Sequence, residues 1–224
     1  MSREQLLAFL RTIDTPTVAN AIESFTLRSR AEGFPSAAIR CLFPELGVMC
    51  GYAVTAQVET VSSVNPLEEA AFIDLFAAVE ASAKPAVVVM QDIGSEPERA
   101  AHSGEVMCTI FSTLGAIGLV SDSAVRDLTA VRNLNFHYFA RGAVSSHAHF
   151  RIVRSTVPVH VHGMTVRPGD LLHGDENGVV SIPDACLDKL PEAIQRVLEN
   201  ERKLLDFVRQ PGFTSAKLRN RFLH

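Results

Sequence analysis

The sequence has no surplus of positive charge: 21 Lys and Arg stand against 25 Asp and Glu, a formal net charge of −4. A protein that grips nucleic acid usually carries a basic stripe or an excess of Lys and Arg, so the composition argues against such a partner. The mild acidity favours solubility and identifies no partner by itself. Cysteine is sparse, and Cys41, Cys50, Cys108 and Cys186 form no C-x-x-C pair. Cys41 and Cys50 are too far apart for a compact zinc knuckle and have no His beside them. Reduced thiols in a cytosolic chain fit this usage, with Cys108 a small core residue in a helical pattern. No apolar run reaches the roughly 18 residues of a membrane span. The start, Met1-Ser2-Arg3-Glu4-Gln5, lacks the basic-then-apolar order of a signal peptide. These absences predict a cytoplasmic protein with no membrane partner. Repeats, low-complexity tracts and long linkers are missing too. The 224 residues, 47% of them hydrophobic, suffice for one well-filled core, so a single domain over 1–224 is expected.

What is present reads as alternating helices and strands. Ser2 and Gln5 form a capping-box pattern before Leu6, Leu7, Phe9, Leu10 and Ile13. Thr15-Pro16 predicts a second helix to about Phe25, with Thr15 as its cap. Residues 28–50, broken by Gly33, Pro35, Pro44 and Gly47, read as a loop or several short strands. Gly51 to Val61 alternates and is rich in β-branched residues, as a strand should be. Asn65-Pro66-Leu67-Glu68 predicts another helix cap, with the helix running to about Ser82. Ala86 to Met90 and Ala116 to Val120 are apolar throughout, the pattern of strands covered on both faces. Helices are expected from Gly104 through Leu114 and from about Ala124 to Leu134, then a strand from Phe136 to Ala140. This order argues for parallel strands joined by helices. From Val157, short strands broken by Gly163, Pro168-Gly169 and Asn177-Gly178 suggest a β-rich layer packed on the α/β part. Asp184 is expected to cap a final helix to about Val208.

Ligands of open α/β sheets bind beyond the carboxyl ends of the strands. Two such ends carry polar residues here. One is Gln91-Asp92; the other is Asp122, followed by Arg126-Asp127. Upstream, Gly104-Glu105-Val106-Met107 opens a helix whose free N–H groups could hold a carboxylate. Those parts suit a small 2-oxo acid, whose carboxylate and keto oxygen can chelate a divalent metal together. Asp127 offers the hard oxygen ligand such a cation prefers, and Arg126 offers a planar fork for the substrate's charged oxygens. An Arg-Asp pair at a helix start is also a common surface arrangement, with Asp suiting the helix dipole.

The run GEVMCTIFSTLGAIGLVSDSAVRDL, residues 104–128, resembles the family of 4-hydroxy-4-methyl-2-oxoglutarate aldolases, the RraA-like family. That family includes oxaloacetate decarboxylases and the regulator of RNase E activity. Its hallmark is a Gly-acid-Leu-type helix start, a Gly-x-Val strand, and Asp-Gly-x-x-Arg-Asp, which stands here as Asp122-Ser123-Ala124-Val125-Arg126-Asp127. RPGDLLHGDENGVVSIP, TPTVANAI and GYAVTAQ extend the likeness over nearly the whole chain. The resemblance implies an α/β fold, a three-layer β/β/α swivelling domain. It implies a carbon–carbon lyase releasing pyruvate, an aldolase or an oxaloacetate decarboxylase, working through a metal-bound enolate. Asp127 would be the direct ligand of Mg²⁺ or Mn²⁺, and Arg126 would contact the pyruvate portion and orient a catalytic water. The amides of Val106 and Met107, with Gly104 at the same turn, would bind the carboxylate, and Glu105 would support the metal's water shell. A homotrimer or hexamer with shared sites is implied, a neighbour's C-terminal helix supplying an acidic residue; Glu201 is the candidate, with Glu199 beside it. Two departures stand out. Ser123 replaces the usual Gly, which matters if that position needs φ > 0, and Asn20 replaces the usual Asp. The alternatives are a non-enzymatic homologue that binds a ribonuclease, and an enzyme acting on another oxo or hydroxy acid.

Histidines offer a rival reading. His147-Ala148-His149 and His160-Val161-His162 are both H-x-H, which on a strand points to one face. No carboxylate or Cys follows at a telling distance, so exposed or core-satisfied histidines are expected instead. His102, two residues before Gly104, is expected to cap its loop rather than touch substrate.

Overall fold

A computed structural model describes residues 1–61 and 69–223. Helix α1 (Arg3–Leu10) starts at the expected capping box, with Ser2 Oγ accepting from Gln5 N–H and Gln5 answering on Ser2 N–H. Helix α2 (Thr15–Glu23) is capped by Asp14, not Thr15. The Thr15 hydroxyl lies 3.0 Å from His173 Nδ1, and Asp14 takes over the Thr17 amide. Beyond the two-residue β1 (Arg40–Cys41) come β2 (Met49–Val61), α3 (Glu69–Ala81), β3 (Ala86–Asp92), α4 (Glu105–Thr113), β4 (Ala116–Ser121), α5 (Leu128–Asn133) and β5 (His137–Ala140). The expected cap at Asn65–Glu68 lies outside the described residues. Strands β2, β3, β4 and β5 are parallel neighbours, which is what three successive β-α-β units produce.

The second half adds β6 (His149–Ser155), the hairpin β7 (Val159–Val161) and β8 (Met164–Val166), and the hairpin β9 (Leu171–Asp175) and β10 (Gly178–Ile182). Two helices end the chain, α6 (Leu190–Val208) and α7 (Ser215–Leu223). Asp184 opens a short 3₁₀ turn rather than the long helix, which begins only at Leu190. The 13-residue β2 serves two partners on one side: β9 along Met49–Tyr52 and β6 along Ala56–Val61, both antiparallel. The sheet order is therefore β1-β5-β4-β3-β2-β9-β10, with β6 against the far end of β2.

Alternation along β3 shows why its run had to be apolar throughout. Val87 and Val89 face the β7–β8 hairpin, where Val159, Val161, Met164 and Val166 are buried. Ala86, Val88 and Met90 face the helices, packing with Leu75, Phe111 and Val131 of α3, α4 and α5. These layers (hairpin, sheet, helices) make the β/β/α arrangement that the resemblance implies. A further apolar cluster joins α1, α2 and α6 to Leu171, Val180 and Ile182. The sheet is curled until it nearly closes. Phe139 of β5 reaches across to β9, where a Cβ on Gly174 would lie 2.9 Å from its ring. Only glycine leaves that space. Among the described residues no helix is long and apolar enough to cross a membrane.

Candidate active site

Two strands of loop cross above the carboxyl ends of β3 and β4 and bring the motif residues together. Residues 101–104 and 122–127 run parallel, bridged at Ala101 and Ala124. His102 N–H donates to Ala124 O, and Arg126 N–H donates to Ser103 O, each 3.0 Å. This pairing delays the next helix: α5 begins at Leu128, not near Ala124. Asp127 sits at its N-cap in the left-handed region (φ 57, ψ 39), which Asp tolerates better than most residues. Its carboxylate does not cap α5. Oδ2 instead accepts from the Glu105 N–H at 3.0 Å, at the start of α4.

Gly104 is needed for that approach. A Cβ there would lie 2.4 Å from Asp127 Oδ2 and 2.9 Å from Arg126 Nε. The glycine that opens α4 is thus a matter of clearance as well as of helix capping. Arg126 Nε lies 3.6 Å from Asp127 Oδ2, and the two side chains are 37% and 40% exposed, accessible to a ligand. The first-turn amides of Val106 and Met107 have no intrahelical acceptor, as at any helix start, and the helix dipole favours an anion there. Beside them is a cavity of about 210 Å³, lined by Gly104, Met107 and Arg126 together with Phe72, His147 and Phe150. Larger openings, about 660 Å³ beside β8 and β10 and about 600 Å³ beside α1, gather none of residues 104–127.

Behind the site lies a buried polar support. Asp92 accepts from Thr60 N–H and Oγ1, from Gly94 N–H, and from His102 Nε2 at 2.9 Å. His102 Nδ1 lies 3.2 Å from Ser121 Oγ, so both ring nitrogens are engaged and the residue anchors its loop. Gln91 points the other way, accepting from His160 N–H on β7. Ser123 needs no left-handed backbone, since it is absent from the residues of positive φ. Its hydroxyl donates to Pro97 O and Ala100 O, tying the two loop strands together. Cys108 is buried as expected, and its Sγ also meets Ser103 Oγ and Tyr138 OH at 3.1 Å each.

Burial pushes the Asp122 carboxyl up to about 7, with the Asp92 charge adding to it, against the pull of the Asp92 amide and Arg141. Burial works in the same sense on Asp92, but hydrogen bonds from His102 and Thr60 hold it below the usual range. The signs are opposite. Asp122 stabilises the fold fully at low pH and loses that contribution as pH rises towards 7 and beyond. Asp92 contributes above the ordinary carboxylate range and loses it on acidification. Asp122→Asn keeps an oxygen to accept the Asp92 N–H, a bond of 2.6 Å. It is expected to raise stability at pH 8 relative to pH 5, by on the order of 1–3 kcal/mol. Urea unfolding at the two pH values measures this, and an unchanged pH dependence would contradict the assignment.

The histidine pairs do not form a centre. His160 uses Nδ1 on Thr165 and Nε2 on Gly163 N–H within its own hairpin, and His162 lies past the strand at φ 43. His147 Nδ1 sits 2.6 Å from Ala148 O at the surface. Among the described residues no group of three or more His, Cys, Asp or Glu is placed to hold a metal. Glu201 lies on α6, 3.4 Å from Asn20 of α2, and is not brought to Asp127 within the chain. Sequence reasoning missed the aromatic wall of Phe72 and Phe150, which carry no motif and come from distant segments.

The motif, its glycine clearance and the cavity agree with a match of residues 15–181 to the family model described as RraA-like, Aldolase/RraA. The chain belongs to the RraA-like family. It is 37% identical over 102 residues to a Halalkalibacterium halodurans protein named "Putative 4-hydroxy-4-methyl-2-oxoglutarate aldolase", covering 45% of this chain and 48% of that one. The aligned stretch thus spans about half the length of that curated relative. Among solved structures, an uncharacterized protein from Pseudomonas syringae pv. tomato superposes with a TM-score of 0.75 at 23% identity, covering 98% of this chain and 95% of that one. Streptomyces coelicolor RraAS2, described as an unusual member of the RNase ES inhibitor RraA protein family, gives 0.70 at 22%, covering 93% and 98%. At those identities the two structures share the RraA-like fold with this chain, and their names say nothing of its activity.

Proposed function

We propose that the protein is a divalent-metal-dependent carbon–carbon lyase that cleaves a small 2-oxo acid to pyruvate, by aldol cleavage of 4-hydroxy-4-methyl-2-oxoglutarate, by decarboxylation of oxaloacetate, or both. The observation that carries this reading is the half-exposed Asp127 carboxylate held against the start of α4, with Arg126 at the cavity wall. One carboxylate suits Mg²⁺ or Mn²⁺, since such ions keep several waters and complete their sphere with substrate oxygens. Gly104 lets Asp127 Oδ2 and Arg126 Nε lie side by side at the start of α4, where a Cβ would come within 2.4 and 2.9 Å of them. When bound, the ion supplies Lewis-acid stabilisation of negative charge. Arg126 pairs with the substrate carboxylate or keto oxygen and the amides of Val106 and Met107 complete the cradle. Glu105, exposed at the first turn of α4, orders water beside Asp127. Pyruvate release from both substrates, with Mg²⁺ or Mn²⁺ and with chelator, tests the proposal. If neither substrate is turned over with any divalent metal, the reading as a non-enzymatic, ribonuclease-binding homologue takes first place.

The assembly belongs to the same proposal. The outer half of α6 exposes Leu205 and Val208, and Val106 beside the cavity is 73% exposed. A homotrimer or dimer of trimers would cover such faces and bring a neighbour's α6, with Glu201, to the open side of the cavity. Light scattering at micromolar concentration is expected to give a trimer or hexamer. A monomer would remove both the shared site and the Glu201 assignment.

A further inference from the structure

The end of the sheet opposite the candidate active site carries an opening of its own. It measures about 600 Å³ and lies between α1 and the turn Ala83-Lys84-Pro85. Arg3, Arg11 and Lys84 line it, with Tyr52 of β2 and Glu4. Its place follows from the sheet. Tyr52 pairs with Ala86, the first residue of β3, whereas Asp92 stands at the other end of that strand.

Helix periodicity explains how two arginines reach this opening. Arg3, Leu7 and Arg11 are spaced four residues apart, so they share one face of α1. Leu7 is buried, which turns that face towards the body of the protein. The arginines one turn to either side of it therefore edge the opening, although both are exposed. Arg3 also stands in the first turn of α1, where the helix dipole disfavours a cation. Lys84 donates to Val79 O and Ser82 Oγ at the end of α3, which holds its ammonium in place without neutralising it. Among the described residues none of the three forms an ion pair. The lining thus carries three cations and one acid, in a chain whose formal net charge is −4. The field of Arg11 extends inward. Burial, and after it the Arg11 charge, push His137 down to about 4, and no acid offsets them.

Like charges brought to one opening from α1 and from the turn before β3 repel each other, and an anion between them removes that repulsion. The spacing sets the kind of anion. Eight residues of helix separate the two arginines, a rise of about 12 Å. An anion with charge along its length meets both better than a compact one does. The planar forks of arginine match phosphoryl oxygens. We propose that this opening binds a short polyphosphate, free or as the tail of a nucleotide, held by Arg3, Arg11 and Lys84. Neither the lyase reading nor a neighbour's α6 is needed for it.

Calorimetry in the absence of divalent metal compares tripolyphosphate, ATP, orthophosphate and citrate. Tripolyphosphate is expected to bind at least about tenfold tighter than orthophosphate or citrate, and to weaken as salt is raised, because exposed charges are screened. ATP as tight as tripolyphosphate shows that the tail alone is recognised, and tighter ATP identifies a nucleotide. The double variant Arg3→Gln/Arg11→Gln is expected to lose at least about tenfold in affinity for tripolyphosphate. Both side chains are exposed, so this variant stays folded. Arg126→Lys is expected to leave the affinity unchanged, which separates this opening from the candidate active site. The proposal is overturned if tripolyphosphate does not bind, or if orthophosphate or citrate binds as tightly. It is also overturned if affinity survives in the double variant or is lost in Arg126→Lys. Light scattering gives a further check: a double variant that falls to a smaller assembly than the wild type would show that these cations meet acids of a second copy instead.

Discussion

Asp127→Asn is expected to lower pyruvate release by at least about 10²–10³-fold while leaving the protein folded. The Asn side chain keeps the shape and an oxygen that can accept the Glu105 N–H. It also tolerates the left-handed backbone at this position, where φ is 57. What it lacks is the negative charge, and with it the affinity for a hard cation. Stability should stay within about 0.5 kcal/mol of wild type, because the side chain is 40% exposed and outside the apolar clusters. Arg126→Lys should be strongly impaired as well: the charge survives, but the planar fork that matches a carboxylate does not. The measurements are coupled pyruvate release, metal affinity by calorimetry, and thermal melts. Wild-type activity of Asp127→Asn on a substrate the protein turns over would rule out the proposed mechanism.

Asp92→Ala should do the opposite kind of damage. Four donors converge on this buried carboxylate: Thr60 N–H, Thr60 Oγ1, Gly94 N–H and His102 Nε2. Truncation leaves all four without this acceptor, three of them buried and Gly94 N–H half-buried. The cost of orphaning a buried hydrogen-bonded network of this kind is about 3–5 kcal/mol. Activity should fall too, because His102 then no longer anchors the loop that carries Ser103 and Gly104. Urea unfolding at pH 7 measures the first effect, and a midpoint near wild type would show that the network adds little. Taken together, the two variants would separate a carboxylate proposed to face the ligand from a buried supporting one at the end of β3.

Local chemistry was legible where neighbouring residues decide the outcome. The Ser2–Gln5 capping box, the glycine start of α4, and the apolar runs of β3 and β4 all appear in the structure close to where the residues place them. The exceptions are informative. Ala124 to Asp127 looks helical by pattern, yet its amides and carbonyls are drawn into pairing with residues 101–103 and 142–144. Thr15 looks like a cap, yet His173, far along the chain, engages its hydroxyl. In each case a partner distant in sequence outcompetes the local preference.

The sequence by itself determined the α/β class, the parallel strand order and the identity of the motif, because periodicity, caps and spacing are properties of short segments. Only the tertiary structure decided that Asp127 turns to the start of α4 instead of capping its own helix, that Asp92 supports His102 while Gln91 holds the hairpin, and that Phe72 and Phe150 form one wall. Those outcomes depend on the curl of the sheet and on which loops it brings into contact. Alternation can say that a residue faces inward, but the residue it meets there is chosen by packing across the whole fold.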